Sequence, residues 1–362
     1  MAVSKVIIAC VFIGILSKEV SNQPTKRSNN SDNNERGNGV PLTQMNGRSS
    51  WQQPQWQSTQ LLTVSYQLRE NFTLRITGSM MNPPISLTVS LETGGNNLDE
   101  NIVCQLAAKF NENKLYVSNG KIQNGEGLDN SMTAGDLLNG SNFDIAFGCR
   151  DNYYMDIYTF SSEIQLVELN TSIDNIRYIS VDGNVNNIQS LNYNFGNGLR
   201  GDQIYALPEW PRPKWPNDNS VVFLVPRTLQ PENVITISGS MMDNPNSLSI
   251  SLVTEQSNTD NQNVSCQLDA RFDENTLQLK TVMYGELQDV KNDNSITPTD
   301  LLAGSDFNIS FTCRSGNGDN FFDISNHSSY LDQIPTGHDF SDIRYIVLEG
   351  NIDLVKTLEF LL

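Results

Sequence analysis

An all-β chain built as two tandem sandwiches is predicted by three features of the sequence. The first is a duplicated block: NIVCQLAAKFNENKLYV, LLNGSNFDIAFGC and SIDNIRYISVDGNV recur as NVSCQLDARFDENTLQL, LLAGSDFNISFTC and FSDIRYIVLEGNI. The offset grows from 162 residues between Cys104 and Cys266 to 167 between Ile176 and Ile343, as small loop insertions would make it grow. A unit of that length is a domain, since solenoid repeats run roughly 20–50 residues. The second feature is period-two alternation in short segments bounded by Gly, Asn and Asp, the mark of strands with one buried face. The third is that no segment reads as a helix longer than two turns. Many short strands in each unit mean a sandwich or barrel.

The elements follow in order. Met1–Ser21 carries Lys5 and then an apolar run from Val6 to Leu16. That run is too short for a membrane span, which needs roughly 20 apolar residues, and reads as a secretory signal that takes Cys10 with it. Residues 22–60 are Asn/Gln-rich and too poor in apolar groups to offset the entropy of ordering, so a disordered tail is expected. Trp51 and Trp56 are its exceptions and are expected to pin its end to the first domain. Residues 61–191 form domain 1. Its strands are marked by Phe72, Leu74 and Ile76, by Leu87, Val89 and Leu91, by Leu115 and Val117, and by Phe143, Ile145 and Phe147. The odd-numbered residues of 143–147, and of 307–311 in the second copy, are expected to face inward.

Residues 192–219 are expected to be a linker. Its PEWPRPKWP run makes it a stiff extended connector, because proline fixes φ and donates nothing to a sheet. Trp210 and Trp215 are expected to pack on one domain or bridge both. Residues 220–362 form domain 2, with strands marked by Ile235 and Ile237, by Leu248, Ile250 and Leu252, and by Phe307, Ile309 and Phe311.

The formal net charge of -18 argues against nucleic acid, heparin-like polymers and anionic membranes as partners. The two histidines, His327 and His338, both lie in the second copy, which removes a duplicated histidine metal site or catalytic triad. No P-loop, dinucleotide-binding glycine motif or EF-hand is present. The chain therefore reads as a non-enzyme, with no catalytic residue, no metal site and no cofactor. Apart from Cys10, each copy carries two cysteines. Duplication favours the pairs Cys104–Cys149 and Cys266–Cys313, in keeping with a secreted, extracellular product, and the alternative is two buried thiols per domain. Seven sequons, at Asn29, Asn71, Asn139, Asn170, Asn263, Asn308 and Asn326, are glycosylation candidates if the chain is secreted. Arg200-Gly201-Asp202 matches the adhesive tripeptide of integrin ligands, a signal three residues long and correspondingly weak.

Each copy resembles a galectin domain. The resemblance rests on LRITGSMM and ITISGSMM near the start, on KFNE (109–112) and RFDE (271–274) after a central strand, and on IRYISVDGNVNNIQSL and IRYIVLEGNIDLVKTLEF at the end. It covers about 130 residues in each half. It implies a jelly roll of two antiparallel sheets in each copy, with a β-galactoside lying over one of them. In that family a His, an Asn and an Arg, then an Asn and a Glu, hold the sugar hydroxyls, and a Trp stacks on the ring. Carried over, the first three positions fall on Gln105, Ala107 and Lys109, and on Gln267, Asp269 and Arg271. The later Asn falls on Asn119 and Thr281. The Trp and Glu fall near Glu126 and Asp129, and near Leu287 and Asp289. Neither copy keeps the aromatic platform, and Ala107 offers no hydrogen bond, so the first copy is expected to have lost β-galactoside binding. The expectation is a secreted tandem lectin of altered or weakened specificity that cross-links extracellular glycans or glycoproteins. The alternative is a secreted scaffold that uses the fold to bind protein partners.

Overall fold

The computed structural model describes residues 60–94, 101–120, 132–160, 162–200, 220–254, 263–292, 296–327 and 329–362. The signal segment, the tail up to residue 59, Trp210 and Trp215, and Glu126 and Asp129 lie outside the described residues.

The first copy contains β1 (Gln60–Thr63), β2 (Thr73–Met80), β3 (Ser86–Glu92), β4 (Ile102–Lys109), β5 (Lys114–Ser118) and β6 (Leu138–Asn139). Then come β7 (Asn142–Cys149), β8 (Tyr154–Thr159), β9 (Ser162–Glu168), β10 (Tyr178–Gly183) and β11 (Val185–Arg200). The second contains β12 (Val221–Leu224), β13 (Val234–Met241), β14 (Ser247–Thr254), β15 (Val264–Arg271), β16 (Thr276–Met283) and β17 (Glu286–Asn292). It closes with β18 (Leu302–Ala303), β19 (Asp306–Gly316), β20 (Asp319–Asn326), β21 (Ser329–Pro335), β22 (Ile343–Gly350) and β23 (Ile352–Leu361). Helical structure among the described residues is confined to single 3₁₀ turns such as Ala134–Leu137 and Pro298–Leu301, each opened by a Thr and Asp capping box. The alternation delivers what the sequence predicts: Phe143, Ile145, Phe147, Phe307, Ile309 and Phe311 are all buried.

Two jelly-roll sandwiches result, and they share a sheet. Its order is β21-β20-β19-β13-β23-β11-β2-β7-β8-β9, which reads the same from its centre outward in both directions. The central contact is the antiparallel pairing of β11 with β23, from Ser190 opposite Leu361 to Arg200 opposite Leu354. Leu191 lies opposite Phe360 and Tyr193 opposite Leu358, and all four are buried. Residues paired across a ladder share a face, so both cores lie on one face of the shared sheet. The five-stranded sheet β1-β10-β3-β4-β5 and the six-stranded sheet β12-β22-β14-β15-β16-β17 therefore pack on that same face. Their edges meet where Leu224 N donates to Ser65 O and Thr63 N donates to Pro226 O.

This junction corrects the expected domain boundary. Residues 192–200 belong to β11 rather than to a linker. Within β11 the register jumps between Asn194 and Leu199, opposite Thr357 and Val355. The bulge turns through Gly196 (φ 57°) and Gly198 (φ 88°), which adopt a left-handed conformation that glycine tolerates best. It drives the Phe195 ring inward among Tyr66, Phe72, Tyr193 and Phe223, with centroids 6.1, 5.2, 6.3 and 5.6 Å away. Tyr193 is anchored as well: its hydroxyl accepts from Ser65 N at 2.9 Å, and burial pushes its pKa up to about 12. One contiguous apolar core thus runs through both copies.

The cysteines are a second correction. Cys104, Cys149, Cys266 and Cys313 are free, buried thiols, without the two expected bonds. In each copy one thiol stands on a strand of the smaller sheet and the other on the shared sheet, facing across the core. Burial pushes the Cys104, Cys149 and Cys313 thiols up to about 12, which leaves them protonated at neutral pH. Burial raises Cys266 too, and a charge on Cys313 adds to that shift.

Candidate carbohydrate-binding face

The candidate site lies on the outer face of β14–β15–β16. Along β15 the even positions Cys266, Leu268 and Ala270 enter the core, so Gln267, Asp269 and Arg271 point outward. Across β16, Leu277 and Leu279 are core residues, and the outward row is Thr276, Gln278 and Lys280. The hairpin between the strands turns at Asn275 (φ 53°), which fixes this register.

Asp269 is the centre of the face. It is 5% exposed and lies between two cations: Arg271 Nε donates to it at 3.1 Å and Lys280 Nζ at 2.5 Å. The Arg271 side chain is half exposed, and its two Nη groups have no partner among the described residues. Gln267 is fixed by donating from Nε2 to Ser249 Oγ at 2.8 Å. The result is a buried acceptor flanked by a planar donor fork and an ammonium, carrying one net positive charge in an acidic chain. Such a set binds hydroxyl oxygens by charge-assisted hydrogen bonds. The other end of the same face is closed, with Ser251, Val253, Ser265, Tyr345 and Val347 all buried there.

Three sequence-predicted positions move. Thr281 turns inward and donates from Oγ1 to Pro335 O at 2.9 Å, so Lys280 takes the place expected for it. Asp289 lies opposite Thr281 and thus on the reverse side of the sheet from Asp269. Its neighbour Leu287 lies opposite Val282 and is 55% exposed. In the first copy Asn119 follows β5 and turns toward the loop after β9, where Asn170 Nδ2 donates to its carbonyl at 2.8 Å. Each slip is a single residue, which in a strand reverses the face.

The first copy's outer face is built differently. Gln105 Nε2 donates to Ser90 Oγ at 2.9 Å, matching the arrangement of Gln267. Beyond it, Ala107 lies opposite Tyr116, whose ring is buried on this face. Lys109 Nζ sits 5.6 Å from that ring's centroid and 3.5 Å from Glu112 Oε1. No acid occupies the place of Asp269. Sequence reasoning missed Tyr116 and Lys280, and counting alternate residues outward from the Asn113 and Asn275 turns would have found both. Of the sequon asparagines, Asn263 and Asn326 are buried: Asn263 Oδ1 accepts from Tyr284 N, and Asn326 Nδ2 donates to Asp300 O. Neither is available as a glycan acceptor in the folded chain. Asn71, Asn139 and Asn170 are exposed, and Asn308 is half-buried on the outer face of β19.

Residues 220–358 match the family model described as galactoside-binding lectin. A comparison with curated proteins finds no match. Similar solved structures include sheep galectin-11 in complex with glycerol, at 10% identity over 38% of this chain and 95% of that one, TM-score 0.32. Caenorhabditis elegans galectin LEC-6 is similar at 14% identity over 40% of this chain and 91% of that one, TM-score 0.31. For chicken galectin 2 the values are 11%, 36%, 92% and 0.29. Residues 220–358, the second of two tandem jelly rolls, are thus similar to the galactoside-binding lectin family.

Proposed function

We propose that the second copy binds glycans through Gln267, Asp269, Arg271 and Lys280, with a specificity shifted away from β-galactosides. The carrying observation is Asp269, buried on the outer face of a lectin-family domain between two cations that retain free donors. Among the described residues no indole projects over this face to cover the apolar side of galactose; the exposed aliphatic Leu287 covers it poorly by comparison. Hydrogen bonding therefore carries the interaction, and single-site affinity is weak.

The first copy does not bind glycans through the corresponding face in this reading, because Ala107 and Tyr116 replace the polar centre. The leader-like amino terminus supports secretion, and with it an extracellular glycan or glycoprotein as partner. A glycan array probed with the full chain and with Arg271→Ala tests the reading: array signals that survive the substitution unchanged would reject it.

A second reading, a secreted scaffold that contacts protein, is favoured by one observation. The closed end of the face, around Val253 and Val347, offers a sugar no access. A full chain that binds no glycan on the array would leave this reading standing.

A further inference from the structure

The outer face of the shared sheet in the first copy holds a recess of about 310 Å³ lined by Thr73, Arg75, Asp144, Ala146, Tyr158 and Phe160. It lies on the opposite side of the sandwich from the β4–β5 face. Arg75 holds Asp144 in a bidentate fork, Nε to Oδ1 and Nη2 to Oδ2, both at 2.6 Å. Nη1 of Arg75 and the hydroxyl of Thr73 have no partner among the described residues, and each carboxylate oxygen keeps acceptor capacity. Tyr158 and Phe160 supply the aromatic part of the wall.

Two observations separate this constellation from ordinary sheet surface. The first is the second copy, which serves as an internal control. By register, Arg75, Asp144, Ala146 and Tyr158 correspond to Thr236, Asn308, Ser310 and Ser325. Phe160 (φ 43°) corresponds to His327 (φ 44°). The same fold forms there without the fork or the rings, so folding does not require them. The second observation is Phe160 itself. A bulky aromatic residue in the left-handed region is strained, and this one is 38% exposed and adds nothing to the core.

We propose that this recess is a carbohydrate site separate from the one on the second copy. It takes the apolar face of an uncharged pyranose against Tyr158 and Phe160, while Arg75, Asp144 and Thr73 bind its hydroxyls. The fork is neutral as a unit and presents donors and acceptors side by side, the pattern that vicinal hydroxyls match. An anionic ligand would meet Asp144 and a chain of net charge -18, and a cationic one would meet Arg75. One chain then carries two sites on opposite faces of joined sandwiches, the geometry that cross-linking needs.

The test uses the full chain bearing Arg271→Ala, so that the second copy's face does not contribute. Saturation-transfer NMR with methyl β-galactoside, methyl β-glucoside, methyl α-mannoside and methyl β-N-acetylglucosaminide reads binding. At least one glycoside should bind. Adding Phe160→Ala or Asp144→Asn should each weaken it about tenfold, as loss of one stacking or hydrogen-bonding partner predicts. Phe160→Trp, which keeps a ring, should retain it, and unchanged melting midpoints verify that the variants fold. Absence of binding by all four glycosides, or wild-type affinity in Phe160→Ala or Asp144→Asn, overturns the proposal.

Discussion

Replacing Phe195 by alanine tests whether the two sandwiches are one structural unit. The ring is 1% exposed and touches four aromatic partners, three from its own copy and Phe223 from the other. Loss of its transfer free energy, plus the cavity left behind, costs about 3–5 kcal/mol. The upper end applies here, because all four centroid separations lie in the favourable range of roughly 4.5–7 Å and the bulge is pinned at both ends by pairing of Asn194 and Leu199 with β23. Because the core is contiguous, that loss should fall on both copies. Equilibrium urea unfolding followed by far-UV circular dichroism, with calorimetry in parallel, should show one transition moved to lower denaturant. A loss below about 1 kcal/mol, or two transitions of which only one shifts, would refute the reasoning.

The remaining predictions are simpler. Gly196→Ala should cost at least about 1 kcal/mol in the same urea assay, because φ is 57° and the added Cβ would meet Asn71 O at 2.3 Å; a neutral effect would contradict the bulge geometry. Burial raises the Glu92 carboxyl above its ordinary 4.5, partly offset by the hydroxyl of Ser180. The folded chain therefore holds that proton to higher pH than the unfolded one, and stability is lost as pH rises through the raised value. Glu92→Gln should raise the melting midpoint at pH 7 and change it little at pH 4, and equal shifts at both would contradict this. Thiol titration should find Cys104, Cys149, Cys266 and Cys313 unreactive in the native chain and all four reactive in guanidinium; fewer than four would reveal bonds absent from this structure.

Much of this architecture was legible in the sequence because burial imposes a period of two. The runs at Phe143–Phe147 and Phe307–Phe311 showed which residues face inward. What alternation does not reveal is which strand edges meet. The β11–β23 ladder is a contact between chain segments far apart in sequence. Its middle, YNFGNG, reads as loop because two glycines and two asparagines interrupt the apolar pattern. The outward placement of Gln267, Asp269 and Arg271 was legible on β15, where Cys266 and Leu268 set the parity. It failed on β16, β17 and the residues after β5, where a carry-over one residue too long put Thr281, Asp289 and Asn119 on the wrong side. The cysteine pattern suggested bonds because duplication conserves positions, but a repeated position fits a buried core thiol as well as a half-cystine, and all four are buried thiols here.

The central claim is that the Asp269–Arg271–Lys280 cluster is a glycan-binding face of shifted specificity. Isothermal titration of the full chain with the strongest ligand from a glycan array measures it most directly, repeated with Arg271→Ala, with Lys109→Ala and in the presence of lactose. The account predicts at least tenfold weaker binding for Arg271→Ala, as loss of a charge-assisted hydrogen bond of about 1.5–3 kcal/mol implies. It predicts no change for Lys109→Ala and poor competition by lactose. Wild-type affinity in Arg271→Ala, or binding that lactose abolishes, would contradict it.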